Sequence, residues 1–409
     1  MLDSEPLMLA VFDCSLLVYT ADNTFYHYLI HQIKSGHTKL RLCGSIGFEG
    51  VVADPRAVRG ISWLIPRSQQ RFGDPADDLN VATIIFLIRG NLVLLRPRRA
   101  AHEEVRYDLQ VLADRVEFYW THLSGVGTLE NSLWGFDGEA ICVWLGKLTI
   151  ESATVAAQRG ALRTVSESVS IPLSFYPLAV LMDKGIVVGV EPEVALRRSV
   201  DFAMHRITTS THLFIQHILR YHLEHKQMHE AIVFASYYQH LVYFGHAIEM
   251  ALHAILEDEA DAQMVLSEDE RDDPARSKIV VLPTAVDFLD HFDESLEVVV
   301  GCARKTEITR WPFLFDTVGK PRDLFEVRAH GCCGRGESAD TPSQKCMQLG
   351  RLKTAASYLL VLHNLESIQQ SSKDTVLLLE AAMEAEDWTL CRELLRFLCV
   401  TLPAAESPC

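Results

Sequence analysis

LWGFDGEAICVWL, residues 133–145, carries the strand chemistry that decides the first half of this chain. Two apolar runs, Leu133 to Phe136 and Ala140 to Leu145, flank Asp137-Gly138. Glycine reaches the positive φ that a tight hairpin needs, so the segment predicts two antiparallel strands joined by a short turn. Its second strand ends in Val143-Trp144, like the inner strands of a WD-type propeller blade. The same design recurs on either side. Leu7 to Phe12 and Leu16 to Thr20 flank Asp13-Cys14, Ala82 to Ile88 and Leu92 to Leu95 flank Arg89-Gly90-Asn91, and Leu178 to Met182 and Ile186 to Val190 flank Asp183-Lys184-Gly185. Repeated hairpins without an intervening helical period predict antiparallel β structure, and the blade-like segment favours a propeller. At roughly 40–45 residues per blade, about 190 residues make about four blades. A strand begins almost at Met1, so the expectation is a partial propeller, its last blades only, over residues 1–191.

From Pro192 onward the apolar period becomes helical. Phe214, Ile218 and Tyr221 fall at spacings of four and three, as do Ile248, Leu252 and Ile255. Leu352, Ala355, Ala356, Leu359 and Leu362 form a further stripe, and Trp388, Cys391, Leu395 and Leu398 another. Successive helices with short connectors predict an α-solenoid over 192–409. Two stretches break it and are read as loops, at 261–280 and 327–351. The first contains LSEDERDDPARS (266–277), charged, with Pro274 and no apolar face. The second contains VRAHGCCGRGESADTPSQ (327–344), rich in Gly, Cys and Ser. The expected fold class is therefore β then α: a partial WD-type β-propeller followed by an α-solenoid.

Composition narrows the function. The chain has 409 residues and a formal net charge of -16, which argues against nucleic acid as a partner. No apolar run approaches the roughly 20 residues of a membrane helix, and the N-terminus lacks a signal-peptide pattern. Ten scattered cysteines and no Asn-x-Ser/Thr acceptor read as cytosolic and reduced; Cys142 and Cys391 sit in apolar patterns as small hydrophobes.

Each candidate for chemistry meets a structural reading that fits better. His205, His212, His217, His222, His225 and His229 crowd one region, and His222 and His225 could share a face, but no H-E-x-x-H pair accompanies them. They read as amphipathic or interfacial, and a histidine metalloenzyme is disfavoured. Cys332, Cys333 and Cys346 lack the spacing of paired C-x-x-C knuckles. No phosphate-binding glycine loop and no G-x-S-x-G elbow occurs. The run Glu257, Asp258, Glu259 reads as a solvated helix face. Catalytic, cofactor and metal residues are accordingly expected to be none. One surface feature remains: Arg304, Lys305, Lys320 and Arg322 cluster within an acidic chain and suit an acidic partner or an anionic membrane surface.

Several long blocks resemble the ribosome-control-protein-one family. FYPLAVLMDKGIVVGVE (175–191) is similar to its last propeller strands. HLFIQHILRYHLEH (212–225), EMALHAILEDEA (249–260), LPTAVDFLDHF (282–292), CARKTEITRWPFLFDTVGKPRDLFE (302–326), LKTAASYLLVLHNLE (352–366) and WTLCRELLRFL (388–398) resemble its C-terminal helical region, in order. The resemblance implies the larger subunit of a two-subunit guanine-nucleotide exchange factor. It also implies an arrestin-like second subunit, a Rab-six-type GTPase as substrate, and a cytosolic protein peripherally associated with Golgi membrane in endosome-to-Golgi retrograde transport. The alternative is a non-catalytic propeller-solenoid scaffold of a vesicle coat or tether. Against the family pattern, the first propeller and part of the second are missing, which predicts a fragment or a mispredicted gene product, and residues 327–344 interrupt a short connection. That insert starts at Val327 and ends at Gln344, compatible with an in-frame GT…AG intron. Sequencing of transcripts is expected to show Glu326 joined directly to Lys345; abundant mRNA carrying the insert would contradict this.

Overall fold

The computed structural model describes residues 4–12, 15–32, 38–48, 54–64, 83–99, 105–122, 126–130, 132–145, 168–196, 203–265, 281–319, 321 and 351–401. The chain divides into two compact units, residues 1–217 and 218–409. The first holds fifteen described strands in antiparallel meanders. Strands β1 (Pro6–Phe12), β2 (Ser15–Thr20), β3 (Thr24–Gln32) and β4 (Thr38–Gly47) form one four-stranded sheet. β5 (Val58–Leu64), β6 (Thr83–Ile88), β7 (Asn91–Arg99) and β8 (Val105–Ala113) form a second. β9 (Phe118–His122), β10 (Ser132–Phe136), β11 (Ala140–Trp144) and β12 (Val169–Pro172) form a third. β13 (Tyr176–Leu181), β14 (Ile186–Leu196) and β15 (Ala203–Leu213) complete the series as a three-stranded sheet.

The expected turns are where the hairpins close. Arg89 and Gly90 both take positive φ, 49° and 78°, so that Ile88 pairs with Asn91. At the tip of the decisive segment Asp137 Oδ1 accepts from the N–H groups of Glu139 and Ala140, and Gly138 has φ 102°. Asp137 thus holds the turn through its side chain while Gly138 supplies the backbone freedom.

β6 shows why the sheets stack like blades. Ile84, Phe86 and Ile88 point to the first sheet and pack with Leu17, Tyr19, Phe25 and Phe48. Ile85 and Leu87 point the other way and pack with Leu133 and Trp144 of the third sheet. A strand apolar at every position needs cover on both faces, and successive meanders supply it. Aromatic contacts continue the stack. Tyr176 of β13 meets Phe118 and Phe136, and Trp134 packs edge-on to Phe214 at 5.1 Å. The unit is a partial β-propeller.

The sheet continues past the boundary expected at residue 191. β14 reaches Leu196 and pairs with β15 over eleven residues, Ile186 opposite Leu213 through Leu196 opposite Ala203. Pro192, where the helical half is expected to begin, lies within β14. It lies beyond the stretch of β14 that β13 covers, which ends at Val190, so its missing N–H disturbs no pairing on that side. Helices begin at Ile215. In order they are α1 (Ile215–Glu224), α2 (Met228–Tyr238), α3 (Phe244–Val265), α4 (Leu282–Leu289), α5 (Ser295–Lys305), α6 (Trp311–Val318), α7 (Leu352–Leu365), α8 (Ile368–Glu384) and α9 (Trp388–Thr401). This is the helical solenoid. α3 runs to Val265, into the stretch expected as a loop from 261; residues 266–280 and the 327–344 insert lie outside the described residues.

The predicted stripes are buried on α1, on α3, and at Ala355, Leu359 and Leu362 of α7. On α9 the stripe splits. Cys391 and Leu398 are buried with Leu390 and Leu394, whereas Trp388 and Leu395 face outward. Leu390, Cys391, Leu394 and Leu398 lie within about 100° of the helix circumference and face the core, while Trp388 and Leu395 flank that arc on its outer edge.

Within the first core His27 is buried and hydrogen-bonded to Tyr107 (Nδ1 to OH, 2.7 Å) and to Ser15 (Nε2 to Oγ, 3.1 Å). Burial lowers its pKa to about 4 and raises that of Tyr107, so both groups are neutral at pH 7. Because the folded pKa lies below the unfolded value, the unfolded chain takes up the proton first as pH falls. The contribution is complete above about pH 6.5 and is lost toward pH 4, with a magnitude of about 3 kcal/mol. Thermal melts of wild type and His27→Gln across this window should show a steeper pH loss in wild type; parallel curves would contradict the assignment.

Candidate functional site

The longest described helix, α3, organises the second unit through its carboxylates. Residues 257, 258 and 259 are about 100° apart around a helix, so adjacent side chains reach different neighbours. Glu257 pairs with Nη1 of Arg310, and Asp261, one turn on, accepts from Nη2 of the same guanidinium at 2.8 Å. Asp258 pairs with Arg220 of α1, which also binds Glu224 at 2.7 Å. Glu259 Oε1 accepts from the backbone N–H groups of Val281 and Leu282. Val281 offers no capping side chain, so a carboxylate from α3 satisfies the exposed amides at the start of α4 and opposes the helix dipole. The acidic run is exposed at Asp258 and half-buried at Glu257 and Glu259, and each member contacts a different element.

Farther up α3, Glu249 lies against Gly301 of α5. A Cβ at residue 301 would come within 2.9 Å of the Glu249 carboxyl carbon, so glycine leaves room for this carboxylate against α5. Lys305 Nζ then meets Glu249 Oε1 at 2.9 Å. Lys305 and Arg304 occupy the last turn of α5, where cations favour the negative helix end. Of the four basic residues singled out in the sequence, Lys305 is half exposed and engaged with Glu249, and Arg304 is exposed. Lys320 and Arg322 lie outside the described residues.

The histidines do not converge on a common point. His222 is buried and bonds Gln227 at 2.8 Å; His225 bonds the Tyr221 carbonyl at 2.7 Å; His229 is exposed. His212 and His217 meet at 3.0 Å between Nε2 atoms, one donating and one accepting, and burial lowers the pKa of His212 as it does that of His222. The side chain of His205 is outside the described residues. No group of three or more His, Cys, Asp or Glu suited to a metal occurs among the described residues. The Cys302 thiol is buried and pushed up to about 12, too basic for a nucleophile at neutral pH. A cleft of about 500 Å³ between the starts of α5 and α7 is lined by Asp293, Glu294, Glu297, Arg351, Lys353 and Asp387, charges of both signs without a nucleophile and base in reach of each other. No described helix is long and apolar enough to cross a membrane. Sequence reasoning missed Arg220, Arg310 and the capping role of Glu259: apart from the local i,i+4 pair of Arg220 with Glu224, their contacts are with residues 22 to 53 positions away, which no local pattern marks.

Comparison with known proteins follows the same division. Residues 1–210 match the family model described as the RIC1 second beta propeller domain, and residues 216–407 match the RIC1 C-terminal alpha solenoid region. The chain is 27% identical to the guanine nucleotide exchange factor subunit RIC1 of Mus musculus, over 96% of this chain and 28% of that protein. The protein of the same name from Homo sapiens is also 27% identical, over 97% and 28%. That from Schizosaccharomyces pombe is 23% identical, over 94% and 39%. The chain therefore spans 28% of the length of its mammalian relatives.

The Arg310 side chain is largely buried between Glu257 and Asp261. Removing it strands a partly buried carboxylate, so Arg310→Ala should cost about 1–3 kcal/mol in chemical denaturation. Arg310→Lys should recover part of that loss, because lysine restores charge but not the two-pronged fork. A cost within about 0.5 kcal/mol of zero for Arg310→Ala would show that α3 does not hold the helices together this way.

Proposed function

The chain belongs to the RIC1 family, and from that premise we propose that it is a subunit of a two-subunit guanine-nucleotide exchange factor for a Rab-six-type GTPase. The observation that carries the proposal is the match of both units, in order, to the two RIC1 regions, together with relatives named as exchange-factor subunits. The proposed second subunit is arrestin-like, and the complex works in endosome-to-Golgi retrograde transport, peripherally attached to Golgi membrane.

Exchange needs no proton transfer and no covalent intermediate. A factor that binds the nucleotide-free GTPase more tightly than the nucleotide-bound form weakens nucleotide binding by the same ratio, as linkage requires. Its work is an interface that holds the switch segments away from the nucleotide and its magnesium ion. A chain built from a stack of sheets and a packed series of helices suits that task, because both give rigid, extended surfaces. The charged groups of α3 and its partners, as at Arg310 and Glu259, join structural elements and hold the helices in a fixed series.

Co-expression with the arrestin-like subunit and addition of the Rab loaded with fluorescent GDP tests the proposal. The complex is expected to speed GDP release over the intrinsic rate. Stable assembly with the second subunit and an unchanged release rate would instead identify a scaffold of the coat or tether kind.

A further inference from the structure

Helix α9 is apolar on two sides. One side, Leu390, Cys391, Leu394 and Leu398, is buried in the second unit. Adjacent to it, roughly 100° around the helix, Trp388 is 66% exposed and Leu395 51% exposed, and Cys399 continues their line one turn further on. Spacings of seven and four place these three within a narrow arc of the helix. Arg392 and Arg396 are exposed along one edge of that arc, a single turn apart, and form no ion pair among the described residues. The other large acid–base contacts of the unit are internal, so these two guanidiniums are uncommitted positive charge in a chain of net charge -16.

From this arrangement we infer that the Trp388–Leu395 face of α9 docks the second subunit of the exchange complex, through a surface on that subunit with an apolar centre and a carboxylate edge. The inference rests on the exchange-subunit reading for the existence of the partner; the face itself is given by the geometry. Tryptophan and arginine are the residue types that most often dominate binding energy, and an indole left in water gains from burial against an apolar surface. The two arginines at its rim select an acidic partner edge and speed encounter with it. A second copy of this chain is a poorer occupant, since two bodies each of charge -16 repel.

The test measures binding of the purified chain to the purified second subunit at two salt concentrations. Trp388→Ala with Leu395→Ala should weaken binding by about thirtyfold or more, the ratio that marks a dominant interface residue. Arg392→Glu with Arg396→Glu should weaken it by about tenfold and reduce its salt dependence, while leaving the apolar contact in place. Both pairs are outward-facing, so melting temperatures should stay at the wild-type value, and the arginine pair serves if the apolar pair lowers solubility. Wild-type affinity in both variants, with the wild-type chain binding normally, would overturn the docking inference and leave the exchange reading intact. No binding by the wild-type chain would overturn both. A dimer of the chain alone that Trp388→Ala with Leu395→Ala converts to monomer would also overturn it, by giving the face to a second copy.

Discussion

A sheet that is apolar on both faces cannot stand alone, and this constraint shapes the first unit. Five consecutive residues of β6, Ile84 to Ile88, are all buried, three toward the first sheet and two toward the third. Each large aliphatic side chain so placed contributes on the order of 1.5–3 kcal/mol relative to exposure. No arrangement of a single sheet can collect that on both sides. Meander after meander must therefore stack, and the stacking fixes the register, since a slip of one residue would exchange Phe86 with Ile85 across the sheet. Polar groups in this core are hydrogen-bonded to one another, as His27 is to Tyr107 and Ser15.

The second unit solves the corresponding problem with one helix. α3 buries Ile248, Leu252 and Ile255 along one side and directs carboxylates elsewhere, to α1, to the start of α4 and to Arg310 before α6. Burial supplies the bulk of the stability; the charged contacts choose which neighbours sit where. Charges used in this way are not available for catalysis. On α9, Trp388 and Leu395 remain exposed beside this packing.

Much of this was legible in the sequence, because it is written locally. A hairpin turn needs particular residues side by side, so Arg89-Gly90 and Asp137-Gly138 announced themselves, and the helical stripes of α1 and α3 repeat within a few residues. The rest is set by contacts distant in sequence. Pro192 reads as the start of the helical half unless one knows that β13 has already ended beside it. Glu257, Asp258 and Glu259 read as a solvated run because their partners lie 22 to 53 positions away. Trp388 and Leu395 fit a helical stripe as well as Cys391 and Leu398 do, and only the packing of α9 reveals which pair faces outward. The basic cluster was legible as charge, but the engagement of Lys305 with Glu249 is a contact between residues 56 positions apart, with Gly301 leaving room for the carboxylate.

The proposal that most needs testing is that this chain contributes to exchange through differential binding of a GTPase. Calorimetric titration of the assembled two-subunit complex with nucleotide-free GTPase and with the same GTPase loaded with GDP measures that difference directly. The account predicts markedly tighter binding of the nucleotide-free form; equal affinity for the two forms would contradict it.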